Sequence, residues 1–182
     1  MYLYTQKKIC CQGENVTSAD NQQERLERQW ITGFVDGEGC FHVAINKMSK
    51  MTNGYQVLPE FRIVQHQKNI MVLYKLQKYF GGVVRRNNGD RYELRVRGIN
   101  NLKTVINHFK KYRLITSKAH DFKIFNEILD IMSLGKHLTK DGLKDVVKKA
   151  STMNRKRDLS RILRDYTPDQ LKETIGRYSP TL

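Results

Sequence analysis

Cysteine, signature nucleotide and hydrolase motifs, long apolar runs and acidic residues are all in short supply in this chain of 182 residues, and each shortage excludes something. The three cysteines, Cys10, Cys11 and Cys40, are odd in number, and two are adjacent. With no Cys-x-x-Cys pair they make neither a disulfide framework nor a zinc finger, and they point to a reducing compartment. No apolar run approaches the ~20 residues of a membrane span. Residues 1–13 lack an apolar core of signal-peptide length, and with Lys7 and Lys8 but no Arg they give a transit peptide little support. There is no Gly-x-Ser-x-Gly elbow, and Gly81-Gly82 is followed by neither a dinucleotide nor a phosphate-loop pattern. The five histidines, His42, His66, His108, His120 and His137, show no metal-ligand spacing and read as surface or interface residues.

The deficit of acid says the most. Against 33 Lys and Arg stand 18 Asp and Glu, for a net charge of +15. Such a balance calls for a polyanion, nucleic acid or an anionic membrane surface. A membrane surface wants a basic amphipathic helix with exposed aromatics. The basic helices here bury their aromatics, so nucleic acid is the expected partner and no membrane is.

The patterning predicts an α+β fold. Residues 1–19 show no period and read as a loose tail. Asp20 with Gln23 has the form of a capping box opening a first helix, in which Leu26, Trp30, Gly33, Phe34 and Gly37 share a face. A glycine inside a helix costs ~1 kcal/mol relative to alanine, so Gly33 and Gly37 need a packing reason. After Gly39 the period becomes two: Phe41, Val43 and Ile45 face one way, His42, Ala44 and Asn46 the other. A second strand spans about 55–66, with Phe61 and Ile63 inward and Gln56, Glu60 and Arg62 outward. A helix over about 69–80, stopped by Gly81, leads into a hairpin whose arms flank Asn88-Gly89. A helix over about 100–112 follows. This αββαββα order makes one antiparallel, saddle-like sheet with helices on one face. The chain therefore divides into a tail (1–19), a core (20–134) and a basic helical extension (135–182), where Thr139 caps one helix and Thr167-Pro168 opens the last.

Two constellations carry chemistry. Asp36 and Glu38 sit at the end of the first helix, where unpaired carbonyls already carry negative charge. A carboxylate there is destabilised unless a cation compensates. A divalent metal and a plain C-cap fit the spacing equally well. The second is the open sheet face. Five arginines fall within residues 85–97 against Asp90 and Glu93, and a β-ribbon fits the DNA major groove, where Arg, Asn, Gln and Glu find partners on base edges. The outward set is His42, Asn46, Gln56, Arg62, Arg85, Asn87, Arg91, Glu93, Arg95 and Arg97.

At this point Trp30–Gly39 resembles the signature of the LAGLIDADG homing endonucleases, with its glycines, its Asp and its final acid-Gly pair in register. The strand ending Phe61-Arg-Ile-Val-Gln65, the segment Leu114-Ile-Thr-Ser-Lys118 and the stretch Gly135–Asn154 are similar to that family too, so the resemblance covers roughly Glu24 to Asn154. It implies a site-specific, intron-encoded double-strand DNA endonuclease that hydrolyses phosphodiesters and leaves short 3′ overhangs on a long, pseudo-palindromic target. It implies Glu38 as metal ligand, the Gly37 carbonyl as a second ligand and Gln65 as positioner of a water. Lys118 is the implied basic residue, although ungapped counting points to Thr116. The implied metal is Mg2+, or Mn2+ or Ca2+ at the same place. A single copy of the motif implies a homodimer with Trp30, Gly33, Phe34 and Gly37 at its interface, and the setting of such introns implies an organelle, chloroplast or mitochondrion. The other reading on this scaffold is an RNA maturase or a non-catalytic DNA-binding regulator.

Overall fold

The structure, a computed structural model, describes residues 26–51 and 53–154. The first helix, α1, is Arg28–Glu38. The expected opening at Asp20 and Gln23 lies outside the described residues. Leu26 and Glu27 are not helical, however, so Leu26 precedes the helix; Glu27 is extended and makes no side-chain cap. The core-facing residues of α1 are Ile31 and Val35, one turn apart, while Trp30, Gly33 and Gly37 face outward. Helix passes to strand with no linking residue. Gly39 opens β1 in extended conformation, and a Cβ on it would lie 2.8 Å from the Val35 carbonyl oxygen. Only glycine fits so abrupt a change of course.

Strand β1 (Gly39–Lys47) pairs antiparallel with β2 (Tyr55–His66), Gly39 opposite Ile63 and Lys47 opposite Tyr55. Strand β2 continues into a short 3₁₀ turn, Gln67–Asn69, and then α2 (Ile70–Phe80), which Gly81 ends at φ 75°. The hairpin is β3 (Val83–Arg86) and β4 (Arg91–Arg97). Its turn closes with the Arg91 amide donating to the Asn88 carbonyl at 3.0 Å. Gly89 and Asp90 are therefore its central residues, one position later than the Asn88-Gly89 expectation, with Gly89 supplying the positive φ of 56°. The sheet order is β1-β2-β4-β3. Pro59 in β2 has a partner in β1, but β4 pairs only with Glu60 to His66, so its missing N–H spoils no ladder bond to β4. Helices α3 (Ile99–Lys111), α4 (Lys118–Ser133) and α5 (Lys140–Ser151) follow. Thr139 caps α5 as the sequence suggests, its hydroxyl accepting from the Gly142 amide at 3.1 Å.

The inner face of the sheet packs through aromatics. Phe41 meets Phe61, Phe109, Phe122 and Phe125, and Phe61 meets Phe80, all with ring centroids 5.3–5.7 Å apart. Leu143, Val146, Val147 and Met153 join the same buried cluster. Such edge and tilted ring contacts add to the area each phenyl removes from water. No helix among the described residues is long and apolar enough to cross a membrane. Among the described residues, α1 to α4 pack against the sheet and α5 packs on α4.

One histidine departs from the surface role expected of it. His108 is 3 % exposed and links three helices: its Nε2 lies 3.1 Å from the Thr32 hydroxyl on α1, and its Nδ1 lies 2.9 Å from the Tyr79 hydroxyl on α2. Thr32 spends its own hydrogen on the Arg28 carbonyl. The network therefore assigns Nε2–H as donor to Thr32 and Nδ1 as acceptor from Tyr79.

Candidate nuclease site and nucleic-acid interface

Glu38 is the last residue of α1, exposed, beside the exposed Gly37. Beneath them Asp36 is buried, and its carboxylate is spoken for. It accepts from the Ile115 amide at 2.8 Å, the Thr116 amide at 3.3 Å and the Thr116 hydroxyl at 2.7 Å. Asp36 thus ties down the turn that leads into α4. At the head of α4, Lys118 reaches back and donates from Nζ to the carbonyls of Asp36 (2.8 Å) and Gly37 (3.1 Å). The negative end of α1 therefore has a cation in place, an ammonium from the chain itself. Thr116, the alternative for the basic position, serves Asp36 instead.

Gln65 lies two residues past Ile63, the partner of Gly39, and so at the end of the sheet where Glu38 stands. Its side-chain oxygen accepts from Asn69 at 3.4 Å. Neighbouring His66 is oriented on both nitrogens: Nδ1 accepts from the Lys68 amide at 3.1 Å, and Nε2 lies 2.7 Å from Asp90 in the hairpin turn.

No group of three or more His, Cys, Asp or Glu among the described residues could hold a metal ion. The end of α1 offers one exposed carboxylate, Glu38, and the Gly37 carbonyl. That donor set fits a hard oxygen-seeking cation such as Mg2+, which takes one or two carboxylates and fills its octahedron with water and phosphate oxygens. It does not fit a zinc site closed by four protein ligands.

Among the described residues, nothing covers the two glycines on the outward face of α1. A Cβ on Gly33 or Gly37 would meet nothing within 4 Å. Beside them Trp30, 43 % exposed, stacks on Phe34 with centroids 4.9 Å apart and planes at 12°. Among the described residues, nothing covers this glycine track or the exposed Trp30 beside it.

On the open sheet face the outward residues alternate as expected, but not all are accessible. His42 stands opposite Glu60, and Asn46 opposite Gln56. Glu60 and Glu93 are 3 % and 1 % exposed. Glu60 pairs with Arg62 (3.1 Å), with Arg95 (3.8 Å) and with Arg97 through both Nε and a terminal nitrogen. Glu93 pairs with Arg85 (2.7 Å) and Arg95 (2.6 Å). Burial pushes the Arg95 pKa down, against the pull of Glu60 and Glu93. Arg91 and Asn87 flank the turn, both exposed, with the Asn87 amide bonded to the Arg91 carbonyl at 2.9 Å. The sequence singled out Glu93 as a surface reader. The structure places it under the arginines and brings Glu60, not singled out, into the same layer.

The described residues thus combine an antiparallel sheet with an arginine-rich face and a glycine-faced helix that ends in an exposed acid at the sheet's edge. The profile of the LAGLIDADG endonuclease family matches residues 31–129, and the chain belongs to that family. It is 37 % identical over 133 residues to the Neurospora crassa protein named probable intron-encoded endonuclease 2, covering 71 % of this chain and 29 % of that one. It is 30 % identical over 93 residues to DNA endonuclease I-CvuI of Chlorella vulgaris, covering 50 % and 58 %. Among solved structures it is similar to the homing endonuclease I-TnaI (48 % identity, 84 % of this chain and 98 % of that one, TM-score 0.71). It is also similar to the meganuclease I-CpaMI bound to uncleaved DNA (30 % identity, 82 % and 50 %, TM-score 0.73). The chain thus spans under a third of the Neurospora relative and half of I-CpaMI.

Proposed function

We propose that the protein is a site-specific DNA endonuclease of the homing type, encoded in an intron and active as a homodimer. The observation that carries this reading is the bare Gly33/Gly37 track ending at an exposed Glu38 whose neighbouring carbonyl is held by Lys118. Two such helices packed across a twofold axis cover the glycines and the Trp30–Phe34 pairs and bring two Glu38 carboxylates together. This half-and-half site also accounts for the sparse donor set of one chain. This chain matches half the length of I-CpaMI, which is described as bound to uncleaved DNA, and that ratio suits two units of this size acting together.

Glu38 and the Gly37 carbonyl would hold a divalent metal, Mg2+ foremost, with Mn2+ or Ca2+ taking the same donors. When bound, that ion supplies Lewis-acid polarisation of a scissile phosphate and a more acidic water. Gln65, oriented by Asn69, positions the attacking water. Lys118 offers its ammonium to the charge that develops on phosphate. Asp36 neither ligates nor transfers a proton; it fixes the 114–118 turn so that Lys118 faces the end of α1. The arginine face contacts DNA, and twofold symmetry in the protein asks for a pseudo-palindromic target. Hydrolysis leaves short 3′ overhangs. Relatives named for cox1 and ND4 introns support an organellar setting.

Plasmid cleavage at the intron-free host junction tests the function. Wild type linearises that plasmid with Mg2+. Glu38→Gln binds the same junction and leaves it intact. A Glu38→Gln chain that nicks at the wild-type rate refutes the metal assignment, and a wild type that binds without cutting refutes the nuclease.

A further inference from the structure

Glu60 and Glu93 are out of place on a face built to meet a polyanion. Each subtracts from the positive field that draws phosphate, yet neither is there for solubility, being 3 % and 1 % exposed. Nor is stability a sufficient reason. Buried ion pairs rarely outperform well-packed apolar residues of similar size, and β-branched side chains suit a strand better than glutamate. What the two acids do is hold guanidinium groups. The strand register sets Glu60 opposite Arg97 and Arg85 opposite Glu93, with Arg62 opposite Arg95 in the row between, so each acid has an arginine directly across from it. Arg95, 14 % exposed, lies between the two acids at 2.6 Å from Glu93 and 3.8 Å from Glu60. Arg85 and Arg97 touch one acid each and keep 48 % and 44 % of their side chains exposed, and Arg62 keeps 27 %. A guanidinium has five N–H donors, so an arginine anchored through one edge still has others to offer.

We propose that Glu60 and Glu93 are specificity-determining positioning residues, which hold Arg62, Arg85 and Arg97 in fixed orientations toward base edges, with Arg95 as the spacer they share, while weakening attraction to phosphate alone. This rests on the DNA-reading function proposed above. Anchoring removes the side-chain entropy that a free arginine loses on meeting a base. The acid charge lowers the non-specific binding against which a rare site must compete. Both effects raise the ratio of specific to non-specific affinity, and neither raises affinity as such.

The test is selection from a pool of random 30-base-pair duplexes with the full chain, for wild type, Glu93→Gln and Glu60→Gln, each checked for a cooperative melt. Wild type enriches a twofold-symmetric consensus. Glu93→Gln loses discrimination by roughly fivefold to a hundredfold at the positions Arg85 reads, and Glu60→Gln does so at a different set, read by Arg62 and Arg97. Both bind sheared genomic DNA roughly two- to fivefold tighter than wild type, a gain that a merely damaged fold does not give. Variants with the wild-type consensus and unchanged discrimination overturn the proposal and leave the DNA-reading function standing. A wild type that enriches nothing overturns both. Should the variants fail to fold, wild-type NMR without DNA decides: slowly rotating, resolved guanidinium signals for Arg85 and Arg97 support anchoring, and averaged signals overturn it.

Discussion

Lowering the pH should weaken this protein through a single buried imidazole. The His108 pKa is pushed down to about 4, first by burial and second by the Arg28 guanidinium. Arg28 itself lies over the Tyr79 ring, 4.2 Å from its centroid. Between the unfolded pKa of ~6.5 and the native value, the unfolded chain takes up a proton that the native chain refuses, so stability falls as pH falls through that window. The two binding polynomials put the loss at about 2 kcal/mol between about pH 7 and about pH 5. For a chain of this size that moves Tm by roughly 4–8 °C. Urea denaturation of wild type and His108→Gln at both pH values isolates the effect, because other titrating groups are common to both. The variant starts less stable, having lost fitted partners in Thr32 and Tyr79, but its pH slope is flatter by about 2 kcal/mol over the window. Equal slopes would show that His108 is not the neutral link described here. The effect reaches the helix that ends at Glu38, since Thr32 immediately precedes Gly33 on α1.

Asp36→Asn removes the charge from an acceptor of three hydrogen bonds. We expect a loss of about 1–3 kcal/mol by calorimetry, and a larger loss of cleavage than of DNA binding as Lys118 drifts from the helix end. Gly33→Ala meets nothing within 4 Å among the described residues and should gain up to about 1 kcal/mol of helix propensity, yet sedimentation should find it monomeric; an unchanged dimer would place the proposed seam elsewhere. Gly142→Ala drives a Cβ into the Lys136 carbonyl oxygen and should cost about 2 kcal/mol or more in a urea melt, with an unaltered melt refuting the close approach.

The strands were legible because period two survives in them. Phe41, Val43 and Ile45, and Tyr92, Leu94 and Val96, mark the inner face with no knowledge of partners. The helix stop at Gly81 and the cap at Thr139 were legible because they are local. What escaped depends on register. Glu60 becomes a buried anchor only once Arg97 is known to lie opposite it, and single-sequence alternation does not supply that pairing. His108 looked like one more polar residue at the edge of an apolar stripe, and only the convergence of Thr32 and Tyr79 from two other helices makes it interior. Glu38 stood out because an acid at a helix C-terminus is anomalous, whereas the groups that donate to the Asp36 carboxylate come from a loop some 80 residues away. The hairpin turn slipped by one position because Asn88-Gly89 and Gly89-Asp90 are both competent turn centres.

The bare glycine track on α1 also has a bearing on dose. In the proposed dimer neither chain holds a complete site, so below the dissociation constant the concentration of working enzyme follows the square of chain concentration. Halving the supply of chains then lowers cutting roughly fourfold, by mass action alone. A DNA-cutting dimer of the proposed kind is thereby muted when scarce, through the absence of two side chains at Gly33 and Gly37.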